Sequence, residues 1–502
     1  MDYSKLCNES DIRGIALEGI EGQHVNLTET VCRDIGRGFT LWLTERTGKK
    51  ANELRVAIGR DSRISGPDMV KWLSEAMAEA GFNVTDMGMA STPAMFMTTK
   101  TDGFMFDASV MVTASHLPFN RNGYKFFTPE GGLESRDIKT ILAYAESDKT
   151  TGEDKGTIVK GEFMDVYSKR LADMIRASAG SERPLEGLRI VVDAGNGAGG
   201  FYAEKVLKPL GANTDGSRYL EPDGSFPNHI PNPENKEAME SIKEAVAETG
   251  ADLGVIFDTD VDRAGAVLPD GSELNRNRLI AILSAILLRE HPGTTIVTDS
   301  VTSSGLAKFI AEKGGIHRRF KRGYKNVINE SIRLNNEGID SQLAIETSGH
   351  GAFKENYFLD DGAYIVTRLI IELSRARKEG YTLASLIDTL EEPKESIEFR
   401  MNILLDDFKP YGKKVIEELT EYASGCKGWA LADDNHEGVR VNLDKEHGDG
   451  WFLLRLSLHE PLMPLNIESN TVGGAKIIAG EIAMFIERCD KLDSVKLVDF
   501  AK

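Results

Sequence analysis

Cysteine is scarce. Four residues, Cys7, Cys32, Cys426 and Cys489, are scattered through 502. They lack the paired spacing of a zinc site or a disulfide frame, so the chain reads as free thiols in a reducing cytoplasm. Long hydrophobic runs are missing too. The longest, Leu279 to Leu288 with Ser284 inside it, is too short to span a bilayer and reads as a buried helix. The first residues, Met1-Asp2-Tyr3-Ser4, lack the basic-then-apolar order of a signal peptide, so the expectation is a cytoplasmic protein with no membrane partner. Positive charge is in deficit: 60 Lys and Arg against 79 Asp and Glu leave a net charge of −19. That balance argues against nucleic acid as a general partner. A local cluster of Arg and Lys can still invert the field inside a cleft, so an anionic small substrate stays open. No low-complexity tract interrupts the chain.

What is present is an ordinary globular balance, 41% hydrophobic and 28% charged, over a length that calls for three or four domains. A β-α-β plan recurs three times. Leu54 to Asp61 is a strand ending in a charged loop, followed by a helix from Ser65 to Ala80. Leu188 to Gly197 is a strand into a glycine-rich loop, with a helix over Phe201 to Leu210. Thr294 to Asp299 is a strand followed by a helix from Leu306 to Lys313. Each strand ends in Asp and each helix closes on Gly, which accepts left-handed backbone cheaply. The pattern predicts α/β architecture with three related domains. After Glu391-Glu-Pro-Lys-Glu395 the character changes. An alternating strand from Ile397 to Ile403, a helix over Pro410 to Ala423 and strands at Val439–Leu443 and Phe452–Leu456 suggest a smaller C-terminal α+β domain. The domains expected are 1–157, 158–272, 273–394 and 395–502.

Two stretches carry the chemistry. In the first, a buried strand over Val110 to Val112 delivers Thr113-Ala114-Ser115 to a loop. His116 sits beside the serine; Asn120, Asn122 and Gly123 supply turn chemistry, and Lys125 follows. Such a serine is a candidate nucleophile or phosphoryl carrier, or simply part of a polar turn. In the second, the strand Val255 to Phe257 runs into Asp258-Thr-Asp260-Val-Asp262-Arg263. Alternate side chains of extended backbone share a side, so the three carboxylates can converge. Held that close they repel and need a cation. Oxygen ligands without His or Cys favour magnesium over zinc, and the spacing is not that of an EF-hand. Arg263 suits a phosphate oxygen.

Four further loops are less specific. Ser10-Asp-Ile-Arg13-Gly14 reads as an early polar turn carrying an arginine. Glu346-Thr-Ser348-Gly-His350 offers groups for vicinal hydroxyls and an imidazole able to move a proton. Lys321 to Lys325 is a basic turn. Arg455-Leu-Ser457-Leu-His459-Glu-Pro461 follows a strand and can hold phosphate, or can be a polar turn.

Together, and in this order along nearly the whole chain, Thr113 to Lys125, Asp258 to Arg263, Glu346 to His350 and Arg455 to Pro461 resemble the phosphoserine, magnesium, sugar and phosphate loops of the α-D-phosphohexomutases. The resemblance implies four domains around a central cleft, three α/β domains with mixed sheets and a smaller fourth that closes over the substrate. It implies a phosphoryl group moved between the 1- and 6-positions of a mannose or glucose phosphate. Ser115 would carry the phosphoryl group, and a hexose 1,6-bisphosphate would be the intermediate and activator. It further implies Mg²⁺ on Ser115, Asp258, Asp260 and Asp262. Arg13, His116, Lys125 and His350 would surround the reacting groups. Arg263, Lys325, Glu346, Ser348, Arg455, Ser457 and His459 would bind the phosphorylated hexose. A monomer or weak homo-oligomer is expected. The phosphate loop departs from the family's usual Arg-Pro-Ser-Asn-Thr-Glu-Pro: Leu456, Leu458 and His459 replace Pro, Asn and Thr, and Pro464 stands where a further Arg is usual. Leu117 replaces an Asn. Two alternatives accompany this reading: an aminosugar phosphate mutase, and a weakly catalytic homologue that binds phosphosugars.

Overall fold

The computed structural model describes residues 2–147, 155–457 and 460–502. Its first sheet is built from β1 (Cys7–Asn8), β2 (Asp11–Ile15), β3 (Arg55–Arg60), β4 (Asn83–Met89), β5 (Ala108–Val112), β6 (Arg121–Thr128), β7 (Gly131–Gly132) and β8 (Ile158–Lys160). The order is β1-β2-β6-β5-β3-β4-β8, with β7 on β6. β5, β3, β4 and β8 run parallel, whereas β2 and β6 are antiparallel to their neighbours, so the sheet is mixed. The helices are α1 (Glu29–Thr47), α2 (Gly66–Glu79), α3 (Thr92–Met97) and α4 (Ser135–Ala145). α1 starts where the Thr28 hydroxyl accepts from Val31 N, and stops at Gly48 in left-handed backbone. Its apolar stripe, Val31, Ile35, Phe39 and Leu43, is buried with Ile58 and Val110 of the sheet and with Ile138 and Leu142 of α4.

α1 and α4 approach so closely that only glycine fits at position 38. A Cβ there would lie 2.3 Å from the Ile141 carbonyl oxygen and 2.8 Å from Ala145 N. Backbone cannot swing aside as a side chain can, so Gly38→Ala is expected to destabilise by about 2 kcal/mol. The check is an earlier thermal unfolding transition by circular dichroism.

The second sheet has the order β12-β11-β10-β9, from β9 (Ile190–Asp193), β10 (Leu253–Phe257), β11 (Ala264–Val267) and β12 (Glu273–Leu274). β9 and β10 are parallel; β10 and β11 form a hairpin closed by the pair Phe257 and Ala264. Its connection is the acidic loop 258–263. Further along, Thr295–Thr298 pairs in parallel with Ile316–Arg319 and Ser341–Ile345. The C-terminal sheet is antiparallel, in the order Glu395–Asn402, Leu462–Ser469, Gly450–Leu454, Val439–Leu443, Trp429–Leu431. Helices Phe408–Ser424 and Gly474–Ile486 supply Val415, Leu419, Ile478 and Ile482 to its core. The helix Arg276–Glu290 contains the apolar run 279–288, all of it buried. Among the described residues no helix is long and apolar enough to cross a membrane.

The chain packs as two compact units. One comprises the residues up to Asn275 with Ser348–Ser385; the other comprises Arg276–Thr347 with Leu386–Lys502.

The three aspartates of the repeat are fully buried. Asp61 accepts from the N–H of Arg63 and Asp193 from that of Gly195, each at 2.9 Å. Asp299 accepts instead from the Thr347 hydroxyl at 2.7 Å. A buried carboxylate thus holds the loop that leaves β3 and the one that leaves β9, whereas Asp299 ties its strand end to the loop after Ser341–Ile345.

Local readings are corrected at four places. Residues 11–14 belong to β2 rather than a turn, because β2 pairs along β6 with Arg13 opposite Gly123. Asn122 and Gly123 lie inside β6, and the Asn122 amide is satisfied by Ser65 Oγ at 2.8 Å. Lys325 sits in the first turn of the helix Tyr324–Asn336. The segment Phe201 to Leu210 is a π-helical stretch, Tyr202–Leu207, running into a 3₁₀ turn, Lys208–Leu210. Pro209 has no N–H to continue an α-helical ladder.

Candidate active site

β5 ends at Val112, and three residues later Ser115 adopts left-handed backbone with φ +50°. A serine does not choose that conformation unaided. It is over-determined by Arg63, whose side chain is fully buried. Arg63 Nη2 donates to the carbonyls of Ser115 at 2.5 Å and Leu117 at 2.6 Å. Nη1 donates to Pro118 at 2.8 Å and Arg121 at 2.9 Å. Asp61 lies 3.5 Å from Arg63 Nε. Arg63 stands outside every motif that the sequence presents. Its only signal is its place two residues beyond the repeat aspartate.

The Ser115 hydroxyl donates to Asp258 Oδ2 at 2.9 Å and accepts from Arg263 Nη2 at 3.0 Å. Arg263 is itself tied to Asp258 through Nε at 3.1 Å. Asp260 is held from the first sheet's side by Thr92, whose hydroxyl donates to its Oδ2 at 2.5 Å. Lys125 Nζ donates to Asp260 at 2.8 Å and also pairs with Asp262. Ser115, Lys125, Arg263 and all three aspartates are buried. Val261, between two of the aspartates, has φ +66°, a further strained position for a β-branched residue.

Three carboxylates face two fixed cations, which leaves one negative charge in excess. Burial and the neighbouring Asp262 and Asp260 push the Asp258 carboxyl well up. Burial also penalises Asp262, but Lys125, His350 and Arg263 outweigh it and hold that carboxyl well below the usual range. Lys125 pays the same burial cost and is kept charged by Asp260 and Asp262. A divalent cation fits this donor set. One oxygen from each aspartate lies within 4.8 Å of the others, and Asp260 Oδ1 and Asp262 Oδ1 are buried with no hydrogen-bond partner among the described residues.

His116 and His350 differ in state. Burial, Arg263 and Arg13 push His116 down to about 2. It is neutral, and its Nδ1 accepts from Arg263 Nη2 at 2.6 Å while lying 3.4 Å from Ser115 Oγ. His350 follows Gly349, where φ is +94° and a Cβ would meet the Ala264 carbonyl at 2.9 Å. Its Nδ1 pairs with Asp360 and lies 3.8 Å from Asp262. Burial disfavours its charged form, but Asp360 and Asp262 outweigh this and raise it to about 9. A raised histidine stabilises the fold fully below its unfolded pKa, about 6.5, and loses that contribution as pH climbs through about 9. In EDTA-treated protein His350 is therefore expected to remain an imidazolium at pH 8. Asp360→Asn is expected to bring its ring-proton titration, followed by NMR, back toward the ordinary value. Arg13 completes this part, with Nη1 on Thr113 O at 3.3 Å and Nη2 on Asp11 at 2.8 Å.

Other sequence-predicted residues lie in the second unit, with Ser348 the exception. Glu346 accepts from Gly323 N at 2.5 Å, so it ties the basic loop leading to Lys325. Glu437, not anticipated from sequence, accepts from Ser300 Oγ at 2.7 Å and Arg322 N at 3.0 Å and faces Arg455 at 3.8 Å. Arg455 Nε is buried with no hydrogen-bond partner among the described residues. Ser457 caps its own loop by accepting from Glu460 N at 3.2 Å. His459 and Leu458 lie outside the described residues.

Residues 4–151, 165–271 and 275–392 match the models of the phosphoglucomutase/phosphomannomutase α/β/α domains I, II and III, respectively. The chain is 32% identical over 444 residues to the phosphomannomutase/phosphoglucomutase of Pseudomonas syringae pv. tomato, covering 88% of this chain and 89% of that one. It is 30% identical over 473 residues to the phosphoglucomutase of Neisseria gonorrhoeae, covering 94% and 95%. Among solved structures, a phosphoglucomutase/phosphomannomutase family protein from Burkholderia thailandensis superposes with a TM-score of 0.80 at 27% identity. The match covers 98% of this chain and 100% of that chain. With three consecutive domain models matched, and the serine and aspartate loops brought together, the chain belongs to the phosphoglucomutase/phosphomannomutase family of the α-D-phosphohexomutases.

Proposed function

We propose that the protein interconverts the 1- and 6-phosphates of a hexose, mannose or glucose, through a phosphorylated Ser115 and a hexose 1,6-bisphosphate. The observation that carries this reading is the Ser115 hydroxyl, bonded at once to Asp258 and Arg263 within the acidic cluster. Ser115 with Asp258, Asp260 and Asp262 would hold magnesium, which when bound supplies charge neutralisation at the transferring phosphoryl group.

The chain's own groups do the remainder. Arg263 holds a phosphoryl oxygen on the serine with a fixed guanidinium, at no reorganisation cost during transfer. Lys125 fixes Asp260 and Asp262. His350, paired with Asp360 and 3.8 Å from Asp262, supplies acid–base help and charge stabilisation at the reacting oxygen, and His116, accepting from Arg263, keeps that guanidinium turned toward the serine. Arg13 braces the backbone of the loop at Thr113. Arg63 holds the serine loop in one conformation through both half-reactions. Lys325, Glu346, Ser348, Arg455, Ser457 and His459 are assigned to substrate binding.

A coupled assay with magnesium and a trace of bisphosphate, on glucose 1-phosphate, mannose 1-phosphate and glucosamine 1-phosphate, tests the proposal. Turnover is expected with glucose or mannose 1-phosphate. Turnover confined to glucosamine 1-phosphate would assign the protein as an aminosugar mutase. No turnover with any of them would overturn the catalytic reading.

A further inference from the structure

The carboxyl ends of parallel strands are where α/β sheets receive ligands. Ser115 follows one such end, that of β5. Two neighbours along the same edge, β3 and β4, and then β8, also run parallel and end together. Arg60 of β3 pairs with Met89 of β4, and Asp86 of β4 pairs with Lys160 of β8. Between these ends and α2 lies a groove of about 410 Å³. Its walls are Arg60, Asp86, Gly88 and Lys160 on the sheet side and Val70, Lys71 and Ser74 on the helix side. None of these residues surrounds Ser115.

The groove is electropositive once its carboxylates are accounted for. Asp86 accepts from Gly88 N at 2.8 Å and from Lys160 Nζ at 2.5 Å. Glu75, also on the wall, accepts from Arg33 at 3.0 Å. Arg60 spends Nη1 on the Asp61 carbonyl at 3.0 Å. Lys71 has no ion-pair partner among the described residues, so a cation is left over. At the base, Ser74 is 2% exposed, and its Oγ has no hydrogen-bond partner among the described residues. A buried hydroxyl left unpaired costs free energy and calls for a ligand atom. The first turns of α2, which begins at Gly66 with Pro67 next, add the positive end of a helix dipole.

We propose that this groove binds the phosphate group of a small phosphorylated metabolite, or inorganic phosphate, as a site additional to the one at Ser115. Arg60, Lys71 and Lys160 would supply charge and Ser74 a hydroxyl donor. The chemistry is that of a phosphate dianion, which accepts from several cations and a hydroxyl at once.

The test uses the full-length protein. Crystals soaked in tungstate, a phosphate mimic, are expected to show density in the groove between Lys71 and Arg60. Equilibrium dialysis with labelled phosphate is expected to show a class of site that the Lys71→Ala/Lys160→Ala variant weakens by about tenfold or more. Both lysines are exposed, so the variant is expected to fold and to keep its catalytic-site binding. Competition by glycerol 3-phosphate against inorganic phosphate separates an ester from the free ion: the tighter competitor identifies the source. Tungstate confined to the Ser115 cluster, or identical phosphate binding in wild type and variant, would overturn the proposal.

Discussion

Ser115→Ala is expected to lower hexose-phosphate turnover by on the order of 10⁴-fold or more, because a double-displacement route cannot run without the atom that carries the group. The loss should appear in kcat, with binding of the hexose phosphate changed little. The hydroxyl contributes one hydrogen bond to Asp258 and one from Arg263, and alanine removes both. Arg263 remains held by Asp258, so the change is local and the variant is expected to fold. Circular dichroism and a sugar-phosphate titration on the variant separate loss of chemistry from loss of structure. Wild-type turnover in the folded variant would remove Ser115 from the mechanism.

The second large effect is expected at Arg63. Its guanidinium is fully buried and satisfies four carbonyls between Ser115 and Arg121. Burial pushes its pKa down and Asp61 opposes that shift, so the pair is interdependent. Burial likewise pushes the Asp61 carboxyl up to about 6, even with Arg63 beside it. Arg63→Met leaves that carboxylate without its counter-charge and the carbonyls without donors. Breaking a buried pair in this way costs about 3–5 kcal/mol. A markedly lower unfolding transition is expected, and turnover in the surviving folded fraction should fall as the serine loop loses its one conformation. Arg63→Lys keeps the charge but cannot span four carbonyls, so it should recover more stability than activity. Equal recovery of both would mean that Arg63 acts only as a structural cation.

The parts of the site that sequence reveals are those contiguous in the chain. Ser115 with His116, and Asp258 with Asp260, Asp262 and Arg263, each sit on one loop at a strand end, where residue order alone places side chains together. Groups whose role depends on distant partners are silent. Arg63 meets Ser115 across 52 residues. Asp360 sets the state of His350 from the far strand of a short hairpin. Glu437 reaches Ser300 across 137 residues. Arg13 reads as part of a turn because Ser10, Asp11, Arg13 and Gly14 crowd one short stretch, too short for alternation to mark a strand. Asp11 opposes Lys125 in the ladder, and Arg13 reaches back to Asp11, so those polar residues are partnered inside the protein. The fold class was legible because the β-α-β plan and its strand-end aspartates repeat. The π-helical segment at Tyr202–Leu207 was not, since its composition is that of any short helix.

One measurement bears most directly on a phosphoryl group carried by this serine. Wild-type protein incubated with glucose 1,6-bisphosphate and magnesium is examined by intact mass spectrometry and peptide mapping. The expected result is the mass of one added phosphoryl group, localised to Ser115 and removed by excess hexose monophosphate. A catalytically active protein that gains no phosphoryl group, or gains it at another residue, would contradict the mechanism.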